Sequence, residues 1–147
     1  MKKEKLNFSI TIEASREKVW DVLLSDETYP IWAAIFMEGS YAKTDWSEGS
    51  KVQFLTPDGD GMASRIQKHI PNDTLIIEHL GVVKNGRDIY DSKEAQEWNG
   101  TLEIYRVKQQ NGRTLLKIEQ DILEEYLDYF NDTWPKALEK VKELAEQ

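Results

Sequence analysis

The stretch that decides the fold is RTLLKIEQDI (residues 113–122), followed directly by LEEYLDYFNDTWPKALEKVKELA (residues 123–145). In the first segment Leu116, Ile118 and Ile122 share one face, and this period of two predicts a strand. From residue 123 the apolar period changes to 3.6, which predicts a long amphipathic helix. Pro135 predicts a kink rather than an end, because the apolar stripe stays in phase across it. That stripe consists of Tyr126, Phe130, Trp134, Ala137, Leu138, Val141, Leu144 and Ala145.

Ahead of this stretch, the chain predicts one strand and two short helices. Alternating apolar residues indicate a strand over residues 6–14, and Ser15 then offers an N-cap for the first helix. Pro30 suits the first turn of the second helix. We expect its apolar side to consist of Ile31, Trp32, Ile35 and Phe36. At the start of the C-terminal helix, Asp121 and Glu124 resemble a capping box.

Between these parts the period of two predicts a run of short strands. Asn111-Gly112 is the strongest hairpin signal, because both residues tolerate positive φ. One polar connection, residues 84–99, predicts a loop with a helical turn around Ser92–Glu97. With Tyr90 and Trp98 on it, this segment is either a lid over one mouth of the cavity or an ordinary surface loop. The element order indicates an α+β fold with an antiparallel sheet, and closing a curved sheet with one helix leaves a gap between them. The strands are expected near 40–46, 51–56, 62–70, 74–83, 100–108 and 113–122.

Composition limits the classes of function. The 147 residues suit a single domain, 1–147, and the net charge of −8 argues against nucleic acid and against anionic membrane surfaces. The sequence has no apolar run long enough to cross a membrane and no signal peptide, so we expect a cytoplasmic protein. Cysteine is absent, which excludes disulfides and thiol catalysis. The PDGDG turn (57–61) lacks the rest of a calcium loop, and the sequence has no P-loop, GxGxxG or HExxH motif, so we expect no metal and no cofactor.

Several segments together resemble a known superfamily. They are IEASREKVWDVLLSDETYPIWAA (12–34), DWSEGSKVQFLTPDGDGMASRIQKHIPNDTLIIEH (45–79), WNGTLEIYRVKQQNGRTLLKIEQDI (98–122) and TWPKALEKVKELAE (133–146). The chain is similar to the START-like (SRPBCC) superfamily, in the branch related to the C-terminal domain of the activator of heat-shock protein 90 ATPase. The resemblance implies a helix-grip fold, with a curved antiparallel sheet of about seven strands around the C-terminal helix. It also implies a cavity for a lipid or another apolar molecule, and no shared catalytic residues.

The predicted function is binding of an apolar or amphipathic small molecule between the sheet and the C-terminal helix. Aromatic residues would line the cavity, although core packing is the competing interpretation for each of them. His79 and Gln120, with Tyr105 or Ser64, would orient the polar end of the ligand. We expect His69 to face solvent. The candidate ligand-binding residues are Trp32, Phe36, Phe54, Ser64, Ile66, Ile77, His79, Trp98, Tyr105, Ile118, Gln120, Tyr126, Phe130, Trp134 and Leu138.

Two other functions stay open. A small cyclase-like or hydrolase-like enzyme would use the same cavity, with His79 as the acid or base, and would need a second titratable group within hydrogen-bond reach. No catalytic motif singles out such a group. A chaperone-associated module that binds a protein partner would need an exposed apolar patch. A homodimer contact is compatible with the sequence but not required by it.

Overall fold

A computed structural model describes residues 2–147 of the chain. Ten antiparallel residue pairs join the first and last strands, β1 (Lys3–Ile12) and β8 (Arg113–Leu123). The sheet continues from β8 to β7 (Leu102–Gln110), β5 (Thr74–Lys84), β4 (Gly61–Ile70), β3 (Lys51–Leu55) and β2 (Tyr41–Lys43). A short eighth strand, β6 (Arg87–Ile89), pairs with the far end of β5. The predicted α+β fold with an antiparallel sheet is therefore confirmed, with eight strands in the described part of the chain.

Helices cover one face of this sheet. Between β1 and β2 lie α1 (Arg16–Leu24) and α2 (Tyr29–Ala33), while α3 (Lys93–Trp98) precedes β7. After β8, one 3₁₀ turn (Glu124–Tyr126) leads into the long helix α4 (Leu127–Ala145), which continues through Pro135. The predicted N-cap of α1 is present, because the Ser15 hydroxyl accepts a hydrogen bond from the backbone N–H of Lys18 at 3.1 Å.

The core lies where α1 and the C-terminal half of α4 pack on the sheet. Ile12, Ile66, Leu116 and Ile118 are fully buried from the strand side. Each buried aliphatic side chain of this size contributes about 1.5–3 kcal/mol. From the helix side the core receives Val19, Val22, Leu23, Ala137, Leu138 and Val141.

Several sequence-based predictions of local structure were wrong. Ile31 and Ile35 are exposed, because α2 has only five residues and turns just Trp32 and Ala33 into the interior. The predicted capping box does not form, because α4 begins only after the 3₁₀ turn. Asp121 instead lies on β8, where its carboxylate accepts a hydrogen bond from the Leu102 N–H at 3.0 Å.

The segment 84–99 is more ordered than the predicted loop. Asn85 and Gly86 have φ values of 50° and 78°, as a two-residue hairpin requires, and they join β5 to β6. The helical turn expected there is α3, which is capped by Ser92 through the Ala95 N–H at 3.1 Å. Tyr90 is exposed, whereas Trp98 is buried. A lid role for this segment remains a prediction.

Candidate functional site

A cavity of about 540 Å³ lies beside the N-terminal half of α4. The volume falls within the usual range for small-molecule sites, roughly 300–1,000 Å³. Its walls come from α2, the sheet, α3 and α4. The cavity exists here because α1 fills the other half of the space between sheet and helix, whereas the five residues of α2 leave this half partly open.

Ten of the fifteen predicted ligand-binding residues lie on the cavity wall. Six of the ten are tryptophan or phenylalanine, so the wall is largely apolar. Trp134 occupies the centre of this group, with ring centroids 4.8 Å from Phe36 and 6.2 Å from Trp32. The ten residues are Trp32, Phe36, Phe54, His79, Trp98, Tyr105, Gln120, Tyr126, Phe130 and Trp134.

The other five predicted residues do not reach the cavity. They are buried in the packed interior, because periodicity identifies the inward face of an element but not how far along it the neighbouring helix fills the space. Ser64 is close behind the wall, where it supports His79. The five are Ser64, Ile66, Ile77, Ile118 and Leu138.

A chain of polar side chains crosses the sheet at the cavity wall. The Ser64 hydroxyl lies 2.7 Å from His79 Nδ1, and His79 Nε2 lies 3.3 Å from Glu103 Oε1. The Tyr105 hydroxyl donates to the other oxygen, Glu103 Oε2. When Nε2 carries the imidazole proton, Ser64 donates to Nδ1 and His79 donates to Glu103. His79 is therefore held in one orientation by both ring nitrogens.

Glu103 is a site residue that the sequence analysis missed. It lies two residues before Tyr105 on β7, so the same alternation that turns Tyr105 inward also turns Glu103 inward. Tyr29, which begins α2, was missed as well. Its proximity to Pro30 marked the helix start but gave no signal for the cavity. Both residues carry polar groups that a purely apolar pocket would not have.

Two tyrosines at the site remain protonated. Burial raises the pKa of Tyr105 well above its usual range, and the negative charge of Glu103 raises it further. Burial likewise raises the pKa of Tyr29, with a second contribution from Glu103. Both phenols are therefore neutral, and the Tyr105 hydroxyl donates its proton to Glu103.

Gln120 adds a neutral polar group on the same wall. Its Oε1 accepts a hydrogen bond from Trp134 Nε1 at 2.6 Å. Because an indole N–H can only donate, the Gln120 atom that faces Trp134 is the amide oxygen. The –NH₂ group of Gln120 therefore points away from Trp134. Gln120 thus offers donor capacity at the cavity as well as fixing the Trp134 ring.

Charged side chains surround the opening. Lys84 Nζ lies 3.9 Å from Asp60 Oδ2 and 3.7 Å from Glu94 Oε1. Asp58 accepts hydrogen bonds from the Thr56 hydroxyl and from the Asp60 N–H, and these bonds lower its pKa. The opening is therefore polar and carries more negative than positive charge.

The histidines have different roles in the structure. His69 was expected to face solvent, but it is half-buried and structural. Trp20 Nε1 donates to its Nε2 at 3.0 Å, so Nδ1 carries the proton and donates to the Trp46 carbonyl at 2.7 Å. His79 has Glu103 within hydrogen-bond reach, which is the second titratable group that an acid–base role would need. Ser64 does not line the cavity, so it is not placed as a nucleophile.

Within residues 2–147, no group of three or more potential metal ligands is close enough to hold a metal ion. No helix in the same residues is both long and apolar enough to cross a membrane. The side chains of the site form aromatic walls, a hydrogen-bonded carboxylate and a charged opening.

Comparison with known proteins gives a family and several similar folds. The family model described as Activator of Hsp90 ATPase homolog 1-like protein matches residues 13–146. Among curated proteins, none matches the chain. The Aha1 dimer from Colwellia psychrerythraea, solved in solution, is 20% identical, with 97% of this chain and 96% of that chain covered and a TM-score of 0.73.

Two crystal structures are similar as well. Protein MLL2253 from Mesorhizobium loti is 15% identical, with 96% of each chain covered and a TM-score of 0.73. CalU16 from Micromonospora echinospora is 17% identical, with 99% of this chain and 77% of that chain covered and a TM-score of 0.67. At these identities the likeness shows the fold, which is the helix-grip arrangement expected from the sequence.

Proposed function

The chain belongs to the family of Activator of Hsp90 ATPase homolog 1-like proteins, and on that premise we propose that it binds an apolar or amphipathic small molecule. The ligand would occupy the cavity between the sheet and the N-terminal half of α4. The observation that carries the proposal is the cavity itself: about 540 Å³, walled by aromatic rings, with a few polar groups at fixed positions.

Burial of the ligand's apolar surface would supply most of the affinity. Each Å² of apolar surface removed from water contributes about 25 cal/mol before the cost of association is subtracted. The polar groups would then fix the orientation, because Gln120 is held by Trp134, while Glu103 is held by His79 and Tyr105. This division between an apolar wall and a few placed polar groups is typical of small-molecule sites.

A cavity-filling substitution tests the proposal. Met62 is half-buried on the cavity wall, so Met62→Trp should occupy part of the space and weaken binding of the neutral fluorescent probe N-phenyl-1-naphthylamine by at least ~10-fold. Ile70→Trp is the matched control, because Ile70 lies exposed at the far end of the same strand, away from the cavity. Equal affinity in both folded variants would contradict binding in this cavity, as would failure of the probe to bind the unmodified protein.

Acid–base catalysis in the same cavity is a second candidate function. The contact between His79 and Glu103 favours it, because both side chains line the cavity and lie within hydrogen-bond reach of each other. Hydrolysis of p-nitrophenyl butyrate would be measured with the unmodified protein, with His79→Asn and with Glu119→Gln. The last variant is the control, because Glu119 lies on the outer face of the sheet. Activity lost only in His79→Asn would support a hydrolase. A rate equal to that in buffer would argue against a hydrolase of such esters.

The remaining predictions about partners and location stay predictions. A chaperone contact and a homodimer would both use the molecular surface rather than the cavity, and one structural relative is described as a dimer. The cytoplasmic location and the single-domain organisation rest on the sequence alone.

A further inference from the structure

We infer that the cavity selects ligands whose polar end is an organic ammonium group, and that Glu103 is the residue that recognises it. The inference rests on the proposed function, because it assigns a ligand class to the same cavity. It is carried by the geometry around Glu103 and by the distribution of charge along the cavity wall.

Glu103 presents a carboxylate to the cavity without a lysine or arginine beside it. Only 15% of its side-chain surface is exposed. Among residues 2–147, no Lys or Arg nitrogen lies within 4.0 Å of the Glu103 carboxylate, and the basic side chain that does contact it is the His79 imidazole at 3.3 Å. Removing a carboxylate from water is costly unless an opposite charge or several donors compensate for it.

The hydrogen bonds from His79 and Tyr105 leave accepting capacity on Glu103. A carboxylate offers about four lone-pair sites, and these two neighbours use one on each oxygen. The two bonds also fix the carboxylate in place, so a ligand need not immobilise it. An ammonium N–H would take a remaining lone pair as a charge-assisted bond, which is about twice as strong as a neutral one.

Aromatic rings around the carboxylate favour a cation as well. The Tyr105 ring adjoins Glu103 through its hydroxyl, and its centroid lies 6.5 Å from that of Trp32 and 6.1 Å from that of Trp134. The Tyr29 ring lies 5.0 Å from Trp32. A cation that lies within about 6 Å of the face of one of these rings is attracted by its π-electrons.

The rest of the wall disfavours an anionic ligand. Asp58, Asp60 and Glu94 lie at the opening, and Lys84 is the one cationic lysine or arginine among the described lining residues. Lys84 is already flanked by two of these carboxylates. A ligand carboxylate, such as that of a fatty acid or a bile-acid-like molecule, would therefore be repelled by the negative charge of Glu103. No unpaired lysine or arginine on the described wall would offset this repulsion.

Three probes that share a naphthyl body test the inference. They are 2-(1-naphthyl)ethylamine, 2-(1-naphthyl)ethanol and 1-naphthylacetate, which are cationic, neutral and anionic near neutral pH. Isothermal titration calorimetry should show the amine binding at least ~10-fold more tightly than the alcohol, a difference of ~1.4 kcal/mol, with the acetate weakest. This ranking needs only the unmodified protein, so it does not depend on the folding of any variant.

Glu103→Gln then identifies the responsible residue, because it removes the charge and keeps the shape. The amine should lose its advantage over the alcohol in this variant. Glu119→Gln is the matched control: it removes the same charge from the neighbouring strand, where Glu119 faces outward and pairs with Arg106. The control should keep the amine preference.

The outcomes separate this inference from the proposed function. If the alcohol or the acetate binds as tightly as the amine, the cavity binds small molecules but the ammonium assignment is wrong. A preference for amine that survives in Glu103→Gln overturns the role of Glu103. If none of the probes binds, and N-phenyl-1-naphthylamine does not bind either, the proposed function fails and the inference fails with it.

Discussion

Replacing Trp134 by alanine should lower the free energy of unfolding by about 3–5 kcal/mol, the usual cost for a buried tryptophan. Trp134 is 2% exposed and is surrounded by Phe8, Trp32, Phe36 and Tyr105. For a chain of 147 residues, each kcal/mol shifts the melting temperature by about 2–4 °C, so the expected decrease is roughly 6–20 °C.

Trp134→Phe separates the two contributions of the side chain. Phenylalanine keeps a ring against the neighbouring aromatics but removes the N–H that donates to Gln120 at 2.6 Å. The lost hydrogen bond costs about 0.5–1.5 kcal/mol. Its cost should stay in that range because Gln120 lines the cavity, where water can replace the donor. Trp134→Phe should therefore be intermediate in stability between the unmodified protein and Trp134→Ala.

The assay is urea denaturation followed by far-ultraviolet circular dichroism. It reports unfolding through the sheet and helices and does not depend on the tryptophan that was removed. A loss below about 1 kcal/mol in Trp134→Ala would refute the reasoning, since it would mean that the neighbouring rings do not depend on Trp134 for their packing.

Three further predictions concern other parts of the molecule. Tyr29 and Tyr105 should not form phenolates in the folded protein near pH 10, and because their folded pKa values exceed the unfolded value, stability should fall as the pH rises above about 10. A spectrophotometric titration in which all six tyrosines ionise before the protein unfolds would contradict this. His69→Phe removes the acceptor of Trp20 Nε1 and should cost about 1–3 kcal/mol by urea denaturation, whereas unchanged stability would contradict its structural role. Gly81→Ala would place a Cβ against the Ile89 carbonyl oxygen, so hydrogen exchange over residues 84–99 should accelerate while that of β1 and β8 is unchanged. Equal protection of residues 84–99 in the variant and the unmodified protein would argue against this close contact.

Much of the fold could be predicted because regular elements leave periodic patterns. The long stripe over residues 126–145 predicted α4, and alternation predicted the main strands with errors of a few residues at their ends. The Asn111-Gly112 turn has φ values of 49° and 81°, as its composition requires. Asn85-Gly86 carries the same signal, and the hairpin between β5 and β6 was missed because the polar residues that follow it were interpreted as a loop.

The candidate site could be predicted only in part. The rings on the cavity wall were found because they lie on apolar faces, but the same criterion also selected Ile66 and Leu138, which are packed in the core. Glu103 was missed because an apolar pattern treats a charged residue on a strand as solvent-facing. His69 was misplaced because its two partners, Trp20 and the Trp46 carbonyl, are distant in sequence. Such contacts depend on the tertiary fold, and local periodicity does not encode them.

The tryptophans provide the most direct test of the central claim, which is that the cavity binds a small molecule. Trp32, Trp98 and Trp134 line the cavity, whereas Trp20 and Trp46 do not. In a ¹⁵N–¹H correlation spectrum, titration with N-phenyl-1-naphthylamine should shift the indole N–H signals of the first three and leave those of the other two in place. Shifts confined to Trp20 and Trp46, or no shifts at saturating probe, would contradict the account.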